Sequence, residues 1–313
     1  MSNLIYHYTS LNALYEIIKT KSLLLTSLHG MNDPCEESYK PETFISDIDL
    51  KQYPQKVDDN TKKFLSLLFN ELNTNKKRFI ENCKYKGDLY NFSFSGKADN
   101  MAHWERYADD MKGVCIAFSL DELEKLNSPL SNELLIRQIF YDDEERRRYI
   151  CRSIVELYNE LSKHIPNNER DNIINIFKKN CIPNLAGVYL SIYKFIKNDY
   201  WYDEDEVRLL YDEQSWKDTL NLINKLKEEG GVDLTEAYKT NHEYLGLDKT
   251  EYHCFSSIRP CKRLSLNQVW SDKLIPEIML GCKSSQNIKD LELFICSKEL
   301  ENTKITESRI KIR

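Results

Sequence analysis

The chain has 313 residues, enough for one large domain or two modest ones. Hydrophobic residues make up 41% and charged residues 30%, and 44 basic against 50 acidic residues leave a formal charge of -6. That mild acidity excludes the global charge of a general DNA binder, though not a local basic patch.

Residues 3–9 alternate and are β-prone, which predicts a strand. Thr9 or Ser10 then caps a helix whose apolar face is Leu11, Leu14, Tyr15 and Ile18. Residues 22–26 read as a short strand, and Asn32-Asp33-Pro34 as a turn. Phe64, Leu65, Leu68, Leu72 and Phe79 predict a helix over 60–82. A strand over 89–95, a short helix over 101–107 and an apolar strand over 113–118 follow. From about 142 to 198 the pattern is helical, with a break near Pro183. Asp142, Asp143 and Glu144 ahead of Arg146, Arg147 and Arg148 suit a helix N-terminus and need no ligand. A strand over 204–211, a helix over 214–228 and a turn at Gly230-Gly231 come next. Strands near 251–258 and 274–280, a helix near 286–298 and a strand near 304–311 finish the chain. Strand-rich ends around a helical middle predict one α+β domain over 1–313, with a helical insertion over 119–200.

Glycine is scarce, at nine residues. An average chain of this length, at roughly 7% glycine, carries about 22. No G-x-G and no P-loop spacing occurs, which excludes the Gly-rich phosphate cradles of Rossmann enzymes, Walker NTPases and kinases. The start of the chain has no basic and apolar signal pattern, and no apolar stretch reaches the ~18 residues of a membrane span. Nine cysteines lie singly. The expectation is a reduced, cytoplasmic protein that does not meet a membrane. His242, His253, Cys254 and Cys261 match no zinc module, so no metal site is expected. Cys115, within an apolar strand, reads as a buried small hydrophobe rather than a nucleophile paired with His7.

The densest signal runs from Asn198 to Leu210, where four acids follow three aromatics and enter a β pattern. On a strand of period two, Glu204, Glu206 and Arg208 share a face. Crowded carboxylates beside aromatics suit acid–base or oxocarbenium chemistry. The same run also reads as a solvated acidic turn. His7, between Tyr6 and Tyr8, reads either as a ligand contact or as a core histidine bonded to a backbone carbonyl. Ser93 and Ser95 share one strand face, and Trp104 and Tyr107 one helix face.

In order along the chain, several short motifs resemble the bacterial domain-of-unknown-function family numbered 2971. They are Tyr6-His7-Tyr8-Thr9-Ser10, Asn32-Asp33-Pro34-Cys35-Glu36, Ser93-Phe94-Ser95, Trp104-x-x-Tyr107, Gly113-Val114-Cys115-Ile116, Glu204-x-Glu206-x-Arg208 and Ile278-Met279-Leu280-Gly281. More distantly, a first-strand His-Tyr, a later serine strand and a Glu-x-Glu at a strand start resemble ADP-ribosyltransferases. That resemblance implies split small β-sheets of the ADP-ribosyltransferase type, holding NAD in the cleft without a Gly-rich loop. It implies that His7 bonds an NAD ribose hydroxyl or the nicotinamide amide, and that Tyr8, Tyr39 or Tyr107 stacks on nicotinamide. Ser93 and Ser95 would brace the site. Glu206 would hold the ribose and stabilise the oxocarbenium ion, and Glu204 would orient or deprotonate a protein or nucleic acid acceptor. A toxin or antiphage role accompanies such domains. The serine strand reads Ser-Phe-Ser where arginine-specific members have Ser-Thr-Ser, and His7 stands where they have Arg. Water as acceptor would make the chain an NAD glycohydrolase. A non-enzymatic protein-binding module, and a Mg²⁺ hydrolase using Asp33, Glu36, Glu204 and Glu206, are the alternatives of other classes.

Overall fold

A computed structural model of the chain describes residues 3–28, 40–47, 59–83, 88–127, 133–163, 185–190, 192–197, 199–229, 231–254 and 257–311. The motif at residues 32–36, Tyr39, Pro183 and Gly230 lie outside the described residues. The chain divides into two compact units. One comprises Met1–Met31, Gly87–Gln138 and Asp203–Arg313, the other Asn32–Lys86 and Ile139–Tyr202. The helical unit thus draws on two chain segments, and residues 119–138 stay with the sheet.

The first unit begins with β1 (Leu4–Thr9), α1 (Leu11–Thr20) and β2 (Ser22–Ser27). Ser10 caps α1 by accepting from the Ala13 N–H, and Lys21 ends it in a left-handed conformation. Leu14, Ile17 and Ile18 form the buried stripe of α1. Tyr15, expected on that stripe, is half-exposed and stacks on Phe294 instead. The unit's other strands are β3 (Leu89–Ser95), β4 (Val114–Ser119), β5 (Leu134–Gln138), β6 (Glu206–Asp212), β7 (Glu251–Cys254), β8 (Ile258–Ser265), β9 (Glu277–Leu280) and β10 (Lys304–Glu307). They make one mixed, open sheet in the order β10-β9-β4-β1-β3-β2-β8-β7, with β6 paired to β3 and β5 to β6. Among the described strands of this sheet, β9 and β10 alone pair in parallel.

Period-two patterning separates the faces. Phe92 and Phe94 of β3 and Val207 and Leu209 of β6 join Leu14, Ile17, Ile18, Leu23 and Leu25 in the main core. Each such side chain contributes about 1.5–3 kcal/mol on burial. The alternate positions are Asn91, Ser93 and Ser95 on β3 and Glu206 and Arg208 on β6, all on the other face.

Strand β6 pairs with β3 along the whole of one edge. The opposite edge of β3 is shared. β2 pairs at Asn91 and Tyr90, while β1 pairs at Ser95 alone. β1 and β2 therefore fork away from β3, with α1 connecting them across the gap. Among the described residues no helix is long and apolar enough to cross a membrane.

In the second unit, Phe44, Leu68, Leu72, Phe79, Ile150 and Ile154 pack into a separate core with Leu185, Tyr189 and Ile192. The helix expected over 60–82 is two helices, Asp59–Thr74 and Lys76–Asn82. Asn75 breaks it, folding its side-chain amide back onto the carbonyl and carboxylate of Glu71. Asp142 caps the long helix Asp143–Lys163 through the Glu144 and Glu145 N–H groups. Arg146 and Arg147 both reach the buried carboxylate of Asp47, at 3.0 Å each. The charge run at 142–148 is thus a cap and an anchor.

Candidate functional site

The fork explains His7. A carbonyl of β3 that faces a diverging gap has no strand partner. His7 Nδ1 donates to the Ser93 carbonyl at 2.9 Å, and its ring lies against Phe92 at 4.2 Å between centroids. The donor on Nδ1 leaves Nε2 as the acceptor of a neutral imidazole. Burial holds the His7 pKa down to about 4, outweighing the carbonyl that favours its cation.

Ser93 and Glu206 meet on the opposite face of the same strand pair. Ser93 Oγ donates to Glu206 Oε1 at 2.7 Å, and Asn91 Nδ2 donates to Ser93 Oγ at 2.8 Å. Arg208 grips the same carboxylate twice, Nε to Oε1 at 3.0 Å and Nη2 to Oε2 at 3.1 Å. Glu206 and Arg208 are both buried. The structure thus joins His7, Ser93 and Glu206 through two hydrogen bonds to Ser93.

The remaining candidates gather elsewhere in this unit, around the short helix Met101–Tyr107. The expected strand start at Glu204 is a 3₁₀ turn, Asp199–Glu204, and β6 begins only at Glu206. Asp205 turns the chain between them with φ +44, a left-handed value that Asp tolerates better than most residues. Glu204 therefore leaves the period-two register that would have put it beside Glu206. The Tyr107 hydroxyl donates to Glu204 Oε1. The Glu204 carbonyl accepts from Ser95 Oγ at 2.8 Å and from His103 Nε2 at 3.0 Å. Burial, then Glu204, pushes the Tyr107 pKa up.

Tyr8 points away from His7, as alternation along β1 requires. Its hydroxyl donates to the Lys97 carbonyl and accepts from the Asn100 N–H, each at 2.9 Å. Its ring meets Trp104 edge-on at 5.2 Å. Cys115 sits in the same small core, and burial pushes its thiol up to about 12. His242 meets Tyr211 and His253 meets Glu251, so these two histidines serve different elements.

α1 and the forked strands enclose a cavity of about 900 Å³, lined by His7, Asn91, Ser93, Leu24, Thr26 and Arg263 among others. Arg263 is committed to Glu251 by bonds of 3.0 and 2.8 Å and holds that carboxyl down to about 2, with help from His253. Asn91 was not among the sequence candidates. The signal was available in Asn91-Phe92-Ser93-Phe94-Ser95, where period two places Asn91 on the serine face. His103 was likewise missed, and nothing in its sequence context marked it.

No curated protein and no solved structure matches the chain. A family model does, over residues 103–209, about a third of the chain. That stretch runs from the helix Met101–Tyr107 through most of β6 and supplies Tyr107, Glu204, Glu206 and Arg208, and over it the chain is similar to the family described as Protein of unknown function (DUF2971).

Proposed function

We propose that this chain is an ADP-ribosyltransferase-like enzyme. It would cleave NAD at the nicotinamide glycosidic bond and pass ADP-ribose to a protein or nucleic acid acceptor in the cytoplasm. The observation that carries this reading is the chain His7–Ser93–Glu206 in a forked sheet, of which His7 and Ser93 line the cavity. The bond between ribose C1′ and the nicotinamide nitrogen breaks with its electron pair leaving on nicotinamide. Positive charge then develops on the ribose, where a fixed carboxylate is stabilising. Glu206 supplies that carboxylate, and Ser93 and Arg208 keep it ionised and oriented. The acceptor attacks C1′ and gives its proton to solvent, since Glu204, the base expected from the sequence, does not share the face of Glu206. Tyr107 orients Glu204. Tyr8 braces the first strand from behind.

One observation favours a second reading. Arg208 and Ser93 engage both oxygens of Glu206, as they would if that residue were a structural counter-ion of a non-enzymatic binding module.

Glu206→Gln decides between them. The Gln carbonyl still accepts from Ser93 and Arg208, so the variant is expected to fold at reduced stability. Incubation with labelled NAD and cell lysate should show label transfer by the wild type and none by the variant. Nicotinamide release without label transfer in the wild type would make water the acceptor. Full activity in a folded Glu206→Gln protein would exclude the assignment.

A further inference from the structure

Asn91 is costly where it stands. It lies inside β3 between two neighbouring strands, opposite Thr26 of β2 and Leu210 of β6, and asparagine is a poor strand former. The residue is only 3% exposed. Its Oδ1 is buried without a hydrogen-bond partner, which is rare in folded proteins. Against those costs stands one bond, from Asn91 Nδ2 to Ser93 Oγ at 2.8 Å.

Polarity fixes the sense of that bond. Arg208 donates to both oxygens of Glu206 and holds it as a carboxylate, so Glu206 accepts. The Ser93 hydroxyl has one proton and gives it to Glu206 Oε1. Ser93 Oγ then has only lone pairs to offer Asn91. The amide must turn Nδ2 toward Ser93 and leave Oδ1 behind. With the amide reversed, Oδ1 would draw the Ser93 proton away from Glu206. The Ser93 carbonyl is held separately, by His7 at 2.9 Å. His7 thus fixes the backbone of Ser93, and Asn91 fixes its hydroxyl.

We infer that Asn91 is a positioning residue: it locks the Ser93 hydroxyl with its proton aimed at Glu206, and so acts on that carboxylate through Ser93. The direction of the bonds stands on the geometry alone. The effect on turnover rests on the reading that Glu206 stabilises the charge formed when NAD is cleaved.

Ser93→Ala, Asn91→Leu and the two combined, each in the full chain, test it. The first readout is the carboxyl ¹³C resonance of Glu206 at neutral pH, identified by its loss in Glu206→Gln. Ser93→Ala removes the donor and should shift that resonance. Asn91→Leu should shift it in the same direction, although Asn91 does not bond Glu206, and the double variant should match Ser93→Ala. The second readout is turnover of labelled NAD, where Asn91→Leu should lower kcat about tenfold with KM within about twofold. Asn91→Asp keeps the shape of the side chain and carries the test where Asn91→Leu fails to fold. Its carboxylate accepts, so it draws the Ser93 proton away from Glu206 and should produce the larger shift. A Glu206 resonance unmoved by either Asn91 variant, or shifts that simply add in the double variant, would overturn the inference. The expected shifts in a chain that leaves NAD intact would remove the enzymatic reading alone. NAD cleavage with an unchanged kcat in Asn91→Leu would remove this inference alone.

Discussion

His7 should give the protein a specific acid sensitivity. In the folded chain its pKa is lowered from 6.5 to about 4, because the ring is enclosed between β1 and β3. In the unfolded chain it titrates at its ordinary value. Between the two values the unfolded state binds the extra proton, so stability falls as pH falls. The contribution is fully present above pH ~6.5 and exhausted near pH ~4. At about 1.36 kcal/mol per pH unit, the gap is worth about 3.4 kcal/mol. His7 is half-buried and opens onto the cavity, so solvent screening makes that figure an upper bound. His103 and His242 are also lowered by burial, so wild type alone would not isolate one residue. The useful quantity is the difference between wild type and His7→Asn, in which a neutral N–H donor replaces the imidazole. Urea unfolding of both proteins at intervals from pH 7.5 to 4 measures it. Wild type should lose about 2–3 kcal/mol relative to the variant across that range, with a slope no steeper than one proton allows. A difference that stays constant with pH would refute the enclosed, neutral His7, and with it the acceptor assigned to Nε2.

Other perturbations probe the supports of the site. Arg208→Leu leaves a buried Glu206 without its charge partner and should cost about 3–5 kcal/mol, whereas the double variant Glu206→Gln/Arg208→Leu should recover much of that loss in urea unfolding. Gly113→Ala would place a Cβ 2.1 Å from the Thr9 carbonyl and 2.9 Å from that of Ala108, where backbone must move. It should destabilise by about 1–3 kcal/mol and, because Thr9 ends β1, lower ligand affinity as well. In the helical unit, Asp47→Asn removes the shared partner of Arg146 and Arg147. It should cost about 3–5 kcal/mol there, read as lost amide protection over Asp143–Lys163.

The parts of the fold that rest on periodicity were legible from the residues alone. β1, β3, β4 and the helix Glu213–Glu228 were expected within a residue or so of where they lie, because alternation and 3.6-residue spacing report directly on burial. Two strands escaped. β5 is a short strand within a stretch read only as the approach to helices, and β8 alternates weakly because Pro260, Lys262 and Arg263 interrupt its apolar positions. Both are held by pairing with β6, β7 and β2, which is a property of the assembled sheet. The same limit governs the site. Glu206 and Arg208 share a face because they stand two positions apart on a regular strand, and that was readable. Glu204 does not join them, because one left-handed residue at Asp205 cancels the register at the point where the acidic run enters β6. Of the two readings of His7, the structure shows the bond to a backbone carbonyl. Its carbonyl partner is the structural role, yet that partner is available only because β1 and β2 diverge at Ser93. A fork that needs a side chain to close it also leaves a cavity beside that side chain, so the structural bond of His7 and its position on the cavity wall have one cause.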